Sequence, residues 1–531
     1  MTYKILVSDS LSEKGIKILK DEKDFEVTVN TKLTPEELKK EIKKYDALVV
    51  RSATKATAEI IESADNLKVI GRAGVGVDNV DVESATKKGI VVMNTPGGNT
   101  LSTAEQTIAM ILALSRKTPQ AYCSMKSGKW DRKSFMGTEL NGKVLGIVGF
   151  GRIGKEVAKR MSAFGMEIVA YDPFASSDSA NILSVRIVDD LNEIWNNADF
   201  ITIHTPLTEE TKYLFNKNTF PKLKNGVRII NCARGGIINE KDLCEALASG
   251  KVAGAALDVF ENEPLDADSP LLKYENLILT PHLGASTEEA QENVAIDVAK
   301  QIVDMLKNGD IKNAVNFPSI SPEELSRIKP YLGLSEKLGA LLANLEKGRY
   351  TEINIEYFGE ICDLNTMPLT TAIVQGLLRP ILKDTVNCVN ALSIAKERGI
   401  KITETKTKEL KDFAHLISVV VKIEKGKEIS ISGTLFGLND IRVVRINGFH
   451  VDASPEGHML ICENIDKPGF VGSIGTLLGA NNINIASMTL GRKQKGEKAL
   501  VVFNIDNPIS PTLLEKIKKL EQIIDAMVIK L

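Results

Sequence analysis

Three polar residues follow apolar runs in the middle of the chain: Arg234 in RIINCARGG, Glu263 in ALDVFENEP and His282 in LILTPHLGAS. Their types suit hydride transfer at an alcohol carbon. Removing the hydroxyl proton needs a base that titrates near neutrality, which histidine supplies, and the same group returns the proton in reduction. A buried carboxylate on the other ring nitrogen fixes the tautomer and raises the pKa. An arginine can hold a 2-oxo acid carboxylate by two parallel bonds. Each residue also has a plainer reading. His204 in ITIHTPLT stands at another strand end and reads as a structural or cofactor-side residue, and a glutamate beside proline is commonly a solvated turn. The conjunction carries the argument, because all three fall in one end-of-strand zone, where open α/β sheets bind ligands. Arg228 opens the same apolar run as Arg234 and is easily left at the solvent. Arg234, between an alanine and two glycines, should either be solvated or have a partner.

A cofactor site precedes them. VLGIVGFGRIGKEVAKRM places Gly149, Gly151 and Gly154 in G-x-G-x-x-G spacing between an apolar strand and a helix, the context that the dinucleotide fingerprint requires. Gly149 allows the tight turn, Gly151 lets backbone approach a pyrophosphate, and Gly154 permits close helix packing. Helix N-terminal N–H groups receive the phosphate charge. The next strand, EIVAYD, ends in Asp172, roughly 20 residues on, where a carboxylate accepts from the ribose hydroxyls. No arginine follows in DPFASS, so NAD is expected rather than NADP. An earlier cluster, Gly71, Gly74 and Gly76 in GRAGVGVDNV, has no helix directly after it and reads as a substrate-facing loop.

These residues need a frame. KILVSD, ALVVRS, LKVIGRAG and GIVVMN read as strands, with helices from Ser12 to Lys20 and Pro35 to Lys44 among them. A second series follows: VLGIVGFG, EIVAYD, DFITIH, RIINCA, VAGAALDVF and LILTPH. Strands alternating with helices predict two lobes with parallel sheets. A long helix, Ser102 to Lys117, lies between the series, and another, Thr287 to Lys307, leads back to the first lobe. The polar stretch KNAVNFPSISPEE, with Pro318 and Pro322, reads as a linker. Helices and β-rich segments follow to about 455, and from Gly457 the order is strand, helix, strand, strand, helix, strand, the split βαβ arrangement.

A length of 531 residues suggests three or four domains. With 43% hydrophobic and 26% charged residues the composition is that of a soluble globular protein. A net charge of −2 offers no general attraction to nucleic acid or membrane. No apolar run reaches the roughly 20 residues of a membrane helix. The six cysteines lack metal-ligand spacing, so free thiols, no metal and a reducing cytoplasm are expected. MTYKILVSDS leads straight into a strand, so no signal peptide is expected.

GFGRIG, YDP, HTPLT, NCARGG, ALDVFENEP and TPHLGAST, in this order, resemble the D-isomer-specific 2-hydroxyacid dehydrogenases across roughly residues 1–315. The resemblance implies His282 as acid/base, Glu263 as its partner and Arg234 as the substrate-orienting cation. It implies NAD contacts from Gly149, Gly151, Arg152, Ile153, Gly154, Asp172, Thr205, Cys232, Ala233, Arg234, Asp258, His282 and Gly284. It also implies a Rossmann-type NAD domain (99–282) inserted into a discontinuous flavodoxin-like substrate domain (1–98 and 283–315), giving an α/β fold.

VVRSATK, GRAGVGVDN, NTPGGNTLS and GKWDRKSFMG resemble the branch of that family acting on 3-phospho-D-glycerate. Arg51 and Arg72 each stand just beyond a strand, and a phosphate needs more cationic donors than a simple 2-hydroxy acid. The resemblance implies substrate contacts from Arg51, Ser52, Arg72 and Gly74. It has Arg132 reaching the substrate of a neighbouring subunit and Trp130 packing a dimer. Val75 stands where some relatives carry threonine, so a hydroxyl contact to cofactor or substrate is not expected there. ICENIDKPGFVGSIGTLLGANNINIASM resembles the ACT domain, expected over 456–531. Asn464, Asp466 and Asn484 would bind L-serine as feedback effector between paired copies, in a homotetramer assembled through NAD and C-terminal domains. VNALSIAKERGI and INGFHVDASPEGHML resemble the extra α+β domain of the family's long form, expected over 316–455. Arg442 and Arg445 there could meet an anion, although alternating charges on a strand usually make a solvated face. Two other readings are a glyoxylate or hydroxypyruvate reductase, which fewer phosphate-directed arginines and no tail would have favoured, and an NAD-sensing corepressor.

Overall fold

The computed structural model describes residues 2–175, 184–318, 322–409, 412–424, 426–437 and 439–531. The end of DPFASS and the middle of the linker therefore lie outside the described residues. In the first lobe β1 (Tyr3–Val7), β2 (Phe25–Val29), β3 (Ala47–Val50), β4 (Val69–Arg72) and β5 (Val91–Met93) form a parallel sheet in the order 2-1-3-4-5. Strand β2 escapes the sequence reading because its FEVTV pattern is only half buried. By contrast β3 is buried at every residue, as strands covered on both faces are. The helix Glu288–Asn308 packs here, placing Val294, Val298, Ile302 and Leu306 in one core with Ile5, Val7, Val49 and Val69.

The second lobe holds β6 (Val144–Val148), β7 (Glu167–Tyr171), β8 (Arg186–Ile187), β9 (Phe200–Ile203), β10 (Val227–Asn231), β11 (Val252–Leu257) and β12 (Leu277–Leu279). All are parallel, in the order 12-11-10-9-6-7-8. This is the doubly wound Rossmann arrangement, with its switch point between β6 and β9. Register aligns the carboxyl ends: Val148 lies beside Tyr171 and Ile203, Asn231 beside Ile203 and Leu257, and Leu257 beside Leu279. Whatever follows each strand therefore meets on one edge. Arg228 corrects the expectation of a solvated residue. It is half-buried on β10, its guanidinium over the Phe200 ring and donating to Thr138 Oγ1 at 3.1 Å.

The long helix between the series runs Thr100–Arg116, and Lys117, at φ 51°, turns the chain into a second helix, Thr118–Lys126, that buries none of its residues. After it Trp130 and Met136 are about four-fifths exposed.

In the remainder, β13 (Tyr350–Gly359), β14 (Lys401–Thr407), β15 (His415–Ile423), β16 (Lys427–Phe436), β17 (Asp440–Ile446) and β18 (Phe449–Ala453) form a mixed sheet in the order 14-13-15-16-17-18. The helices Pro322–Leu345 and Met367–Leu382 share its core. Asn387 Nδ2 donates to Gly89 O at 2.7 Å, tying this unit to the first lobe. Arg442 pairs with Asp440 and Asp452, and Arg445 with Asp412, as on a solvated charged face. The last sheet is antiparallel, β19 (His458–Ile465), β20 (Ile485–Arg492), β21 (Lys498–Ile505) and β22 (Ile523–Lys530), ordered 20-21-19-22. Among the described residues no helix is long and apolar enough to cross a membrane.

Candidate active site

The cofactor edge begins where β6 meets the helix Arg152–Ala163. Gly149 has φ 97°, and a Cβ there would stand 2.6 Å from His204 O. Nothing lies within 4 Å of the Cβ position of Gly151, the helix N-cap, so its backbone is open to a phosphate. A Cβ on Gly154 would come within 2.3 Å of Gly149 O. Arg152 and Ile153 begin the helix. Asp172, beyond β7, accepts from the N–H of Phe150 on one oxygen and of Phe174 on the other, both at 2.8 Å. This braces the carboxylate beside the glycine turn, with lone pairs to spare for ribose hydroxyls. Thr205 Oγ1 is buried without a partner, an orphan that a bound dinucleotide can satisfy. These residues fit NAD. His204 contacts Thr202 Oγ1 through Nε2 at 3.1 Å, and burial pushes its pKa down to about 3. It is neutral at physiological pH, which removes it as an acid. Burial first, then the charge of Asp258, pushes the Cys232 thiol up to about 12, so it is no nucleophile.

The chemistry stands on β10 to β12. Asn231, buried at the end of β10, accepts from Ala233 N–H at 3.0 Å and donates to Arg234 O at 2.8 Å. This turn aims Arg234 across to the first lobe, where Nε donates to Asp78 Oδ2 at 3.1 Å. Nη1 donates to Ala233 O at 2.7 Å. Arg234 is therefore already paired, with a carboxylate of the other lobe. Asp258, beyond β11, is fully buried, and its oxygens accept from Thr280 Oγ1 (2.5 Å), Leu283 N–H (2.7 Å) and Gly284 N–H (2.8 Å). It thus shapes the loop that carries His282. That residue has φ 55°, a left-handed conformation uncommon outside glycine and a strain that recurs at functional sites.

His282 Nδ1–H donates to Glu263 Oε2 at 2.7 Å, while Glu263 Oε1 accepts from Phe260 N–H at 3.1 Å. The bond to Glu263 raises the His282 pKa against the opposing effect of burial. Burial alone would raise Glu263, but the His282 bond and the Phe260 N–H outweigh it and leave the carboxyl lowered. Glu263 was expected to be buried. It instead faces an open cleft of about 630 Å³, lined also by Ser52, Phe260, Thr280 and His282. A pair exposed to this extent owes little stability to its charge. Its value is orientation, leaving Nε2 for a substrate proton.

Ser52 enters the cleft from the first lobe because Asp9 gathers its loop, accepting from Arg51 N–H (2.5 Å) and from Thr54 N–H and Oγ1. Arg51 Nη1 donates to Ser10 O at 3.2 Å. Arg72 closes β4 rather than following it. Its guanidinium lies over Gly74, where a Cβ would meet Nη1 at 1.6 Å, and its Nε is buried without a partner. Burial first, then the charge of Arg234, presses the Arg72 pKa down to about 10, so it stays charged. Arg132 is not brought to this cleft and lies exposed on the arm beside Trp130.

The three expected effector residues are not together in one chain. Asn464 pairs with Ala499 at one end of β19, whereas Asn484 precedes Ile485, which pairs with Ile505 at the other end. The separation along the sheet is roughly 20 Å. Asn464 is 1% exposed and its Oδ1 has no partner. Asp466 accepts from Arg492 Nη1 at 2.8 Å and Gly496 N–H at 3.2 Å, which lower its pKa. Asn484 donates to Asp506 Oδ2 at 2.8 Å. Sequence reasoning missed Asp9, Asp78 and Asn231. Their signal was an Asx residue two positions past a strand, closing one or within a glycine-rich loop, where such side chains hold turns.

Residues 108–284 match the model of the D-isomer specific 2-hydroxyacid dehydrogenase NAD binding domain. Residues 327–447 match the D-3-phosphoglycerate dehydrogenase intervening domain and 458–522 the ACT domain. The chain is 47% identical to D-3-phosphoglycerate dehydrogenase of Archaeoglobus fulgidus, over 99% of this chain and 100% of that one. It is 43% identical to the Bacillus subtilis enzyme of that name, over 100% of both. Among solved structures, the TT0316 protein of Thermus thermophilus (35% identity, TM-score 0.55) covers 59% of this chain and is itself 99% covered. A glyoxylate reductase of Paecilomyes thermophila (28%, TM-score 0.55) covers 61% and is itself 99% covered. With an NAD-binding Rossmann lobe, a His–Glu–Arg edge and both C-terminal units, the chain belongs to the D-3-phosphoglycerate dehydrogenases of the D-isomer-specific 2-hydroxyacid dehydrogenase family.

Proposed function

We propose that the chain oxidises the 2-hydroxyl of 3-phospho-D-glycerate to 3-phosphooxypyruvate, the first step of phosphorylated L-serine synthesis. The observation that carries this reading is the His282–Glu263 pair in a cleft shared with Ser52, with Arg234 reaching over to the Arg72 side. NAD, when bound, accepts the hydride. Gly149, Gly151, Arg152, Ile153, Gly154, Asp172, Thr205 and the Cys232–Arg234 turn hold it, and Asp258 and Gly284 fix the loop beside it. His282 Nε2 takes the hydroxyl proton and Glu263 stabilises the resulting imidazolium. Arg234 orients the substrate carboxylate. Arg51 and Arg72 favour a phosphorylated acid, and Arg132 completes the site of a neighbouring copy, since it stands outside its own.

The same reading includes a cytoplasmic homotetramer inhibited by L-serine at the ACT domain. The orphaned Oδ1 of Asn464 beside Asp466 supports an ammonium site. The distance to Asn484 supports a site completed by a second copy. The test is NADH formation over a hydroxy-acid panel, with and without L-serine. Good turnover of an unphosphorylated acid without turnover of 3-phospho-D-glycerate contradicts the substrate assignment. Serine inhibition unchanged in Asp466→Ala contradicts the effector site.

A further inference from the structure

Arg234 and its partner Asp78 belong to different lobes. Asp78 lies in the glycine loop after β4, and Arg234 follows β10. Their ion pair therefore bridges the two lobes, and the Arg234 charge acts on both Glu263 and His282. With Nε on Asp78 and Nη1 on Ala233 O, two of the five guanidinium N–H groups are committed. Nη2 rests against Gly76, where a Cβ would stand 2.0 Å from it, so a larger residue there would push the guanidinium aside. The Arg72 guanidinium lies over Gly74 in the same loop. Two cations thus converge on one short segment, and Asp78 is the carboxylate that bonds one of them. Its charge also favours the ionised form of Arg72, opposing the effect of Arg234.

We propose that Asp78 is a positioning residue: it fixes the Arg234 fork from across the cleft and leaves the remaining N–H groups free for the substrate carboxylate. The proposal rests on the hydroxy-acid oxidation proposed above.

Charge and geometry predict opposite outcomes. By charge alone, deleting a carboxylate strengthens binding of an anionic substrate. Asp78 is largely exposed, so that effect is screened and small. Loss of orientation releases a long side chain that must be ordered again by the substrate. Geometry wins, and its effect does not vanish with salt.

The test measures initial rates of NADH formation by the full-length chain at low and physiological ionic strength. The proteins are wild type, Asp78→Asn, Asp78→Glu, Arg234→Lys and the Asp78→Asn/Arg234→Lys double variant. Asp78→Asn should raise KM for the hydroxy acid about tenfold, the loss of one charge-assisted bond, and leave KM for NAD unchanged. Asp78→Glu should restore most of the loss. In the Arg234→Lys background the Asn change should add little, because no fork remains to be held. An unchanged or lowered KM in Asp78→Asn, or an equal loss in the lysine background, overturns the proposal. If wild type oxidises only a different 2-hydroxy acid, the substrate assignment fails, and the same series on that acid decides the role of Asp78.

Discussion

Nδ1 of His282 and Oε2 of Glu263 stand 2.7 Å apart across the loops that follow β12 and β11. The bond commits one face of the imidazole and raises its pKa, so the group titrates above the ordinary histidine value. Oxidation uses the neutral ring and is lost as pH falls through that pKa. Reduction uses the protonated ring and is lost as pH rises through it. Glu263→Gln removes the main raising influence, so both limbs should move to lower pH, with kcat reduced about 100-fold or more. The pH profiles of kcat in both directions check this, and limbs that stay in place contradict it.

Arg234→Lys keeps the charge and loses the fork. A compact ammonium cannot reproduce the planar fork that reaches Asp78 and Ala233 O and holds a carboxylate by two parallel bonds. The expected loss in kcat/KM is about 10- to 100-fold, equivalent to one charge-assisted bond of about 1.5–3 kcal/mol. Steady-state kinetics decide it, and a fully active lysine variant counts against the role assigned to Arg234.

Asp258 carries a structural load beneath the histidine loop. In Asp258→Ala the N–H groups of Leu283 and Gly284 lose their acceptor in a buried place. The expected cost is about 2–5 kcal/mol, within the range for unpaired buried donors, read as a lowered unfolding midpoint of the NAD lobe. Turnover should fall with it, because His282 at φ 55° relies on its neighbours to stay in place.

Asp172→Asn retains an oxygen for the Phe150 N–H and loses the negative charge. KM for NAD should rise about 10-fold, and the preference for NAD over NADP should narrow by at least as much, since repulsion of the extra phosphate is gone. Coenzyme kinetics at fixed hydroxy acid measure both. An unaltered NAD preference contradicts the placement of the ribose.

Much of this site was legible because strand ends in a parallel sheet are forced to one edge. GFGRIG, YDP, NCARGG, ENEP and TPHLG each follow an apolar run, so their shared location followed from topology alone. Contacts between lobes were not legible. Nothing in the spacing of Asp78 and Arg234 shows that the Gly76 loop admits a guanidinium. The support that Asp258 gives to Leu283, Gly284 and Thr280 was not legible either, because it depends on how the loop after β12 folds back. The spacing of the ACT residues within one chain was not legible either. Asn464 and Asn484 fall at opposite ends of an antiparallel sheet, which only strand register reveals. Strand β2 was missed because one half-polar strand at a sheet edge leaves no apolar run.

The most direct test of the central claim compares kcat/KM for NAD-dependent oxidation of 3-phospho-D-glycerate and D-glycerate by the wild-type chain under identical conditions. Arginines that meet the phosphate should favour the phosphorylated acid by about 100-fold or more, since each charge-assisted bond contributes about 1.5–3 kcal/mol. A ratio near one, or a preference for D-glycerate, would contradict the account.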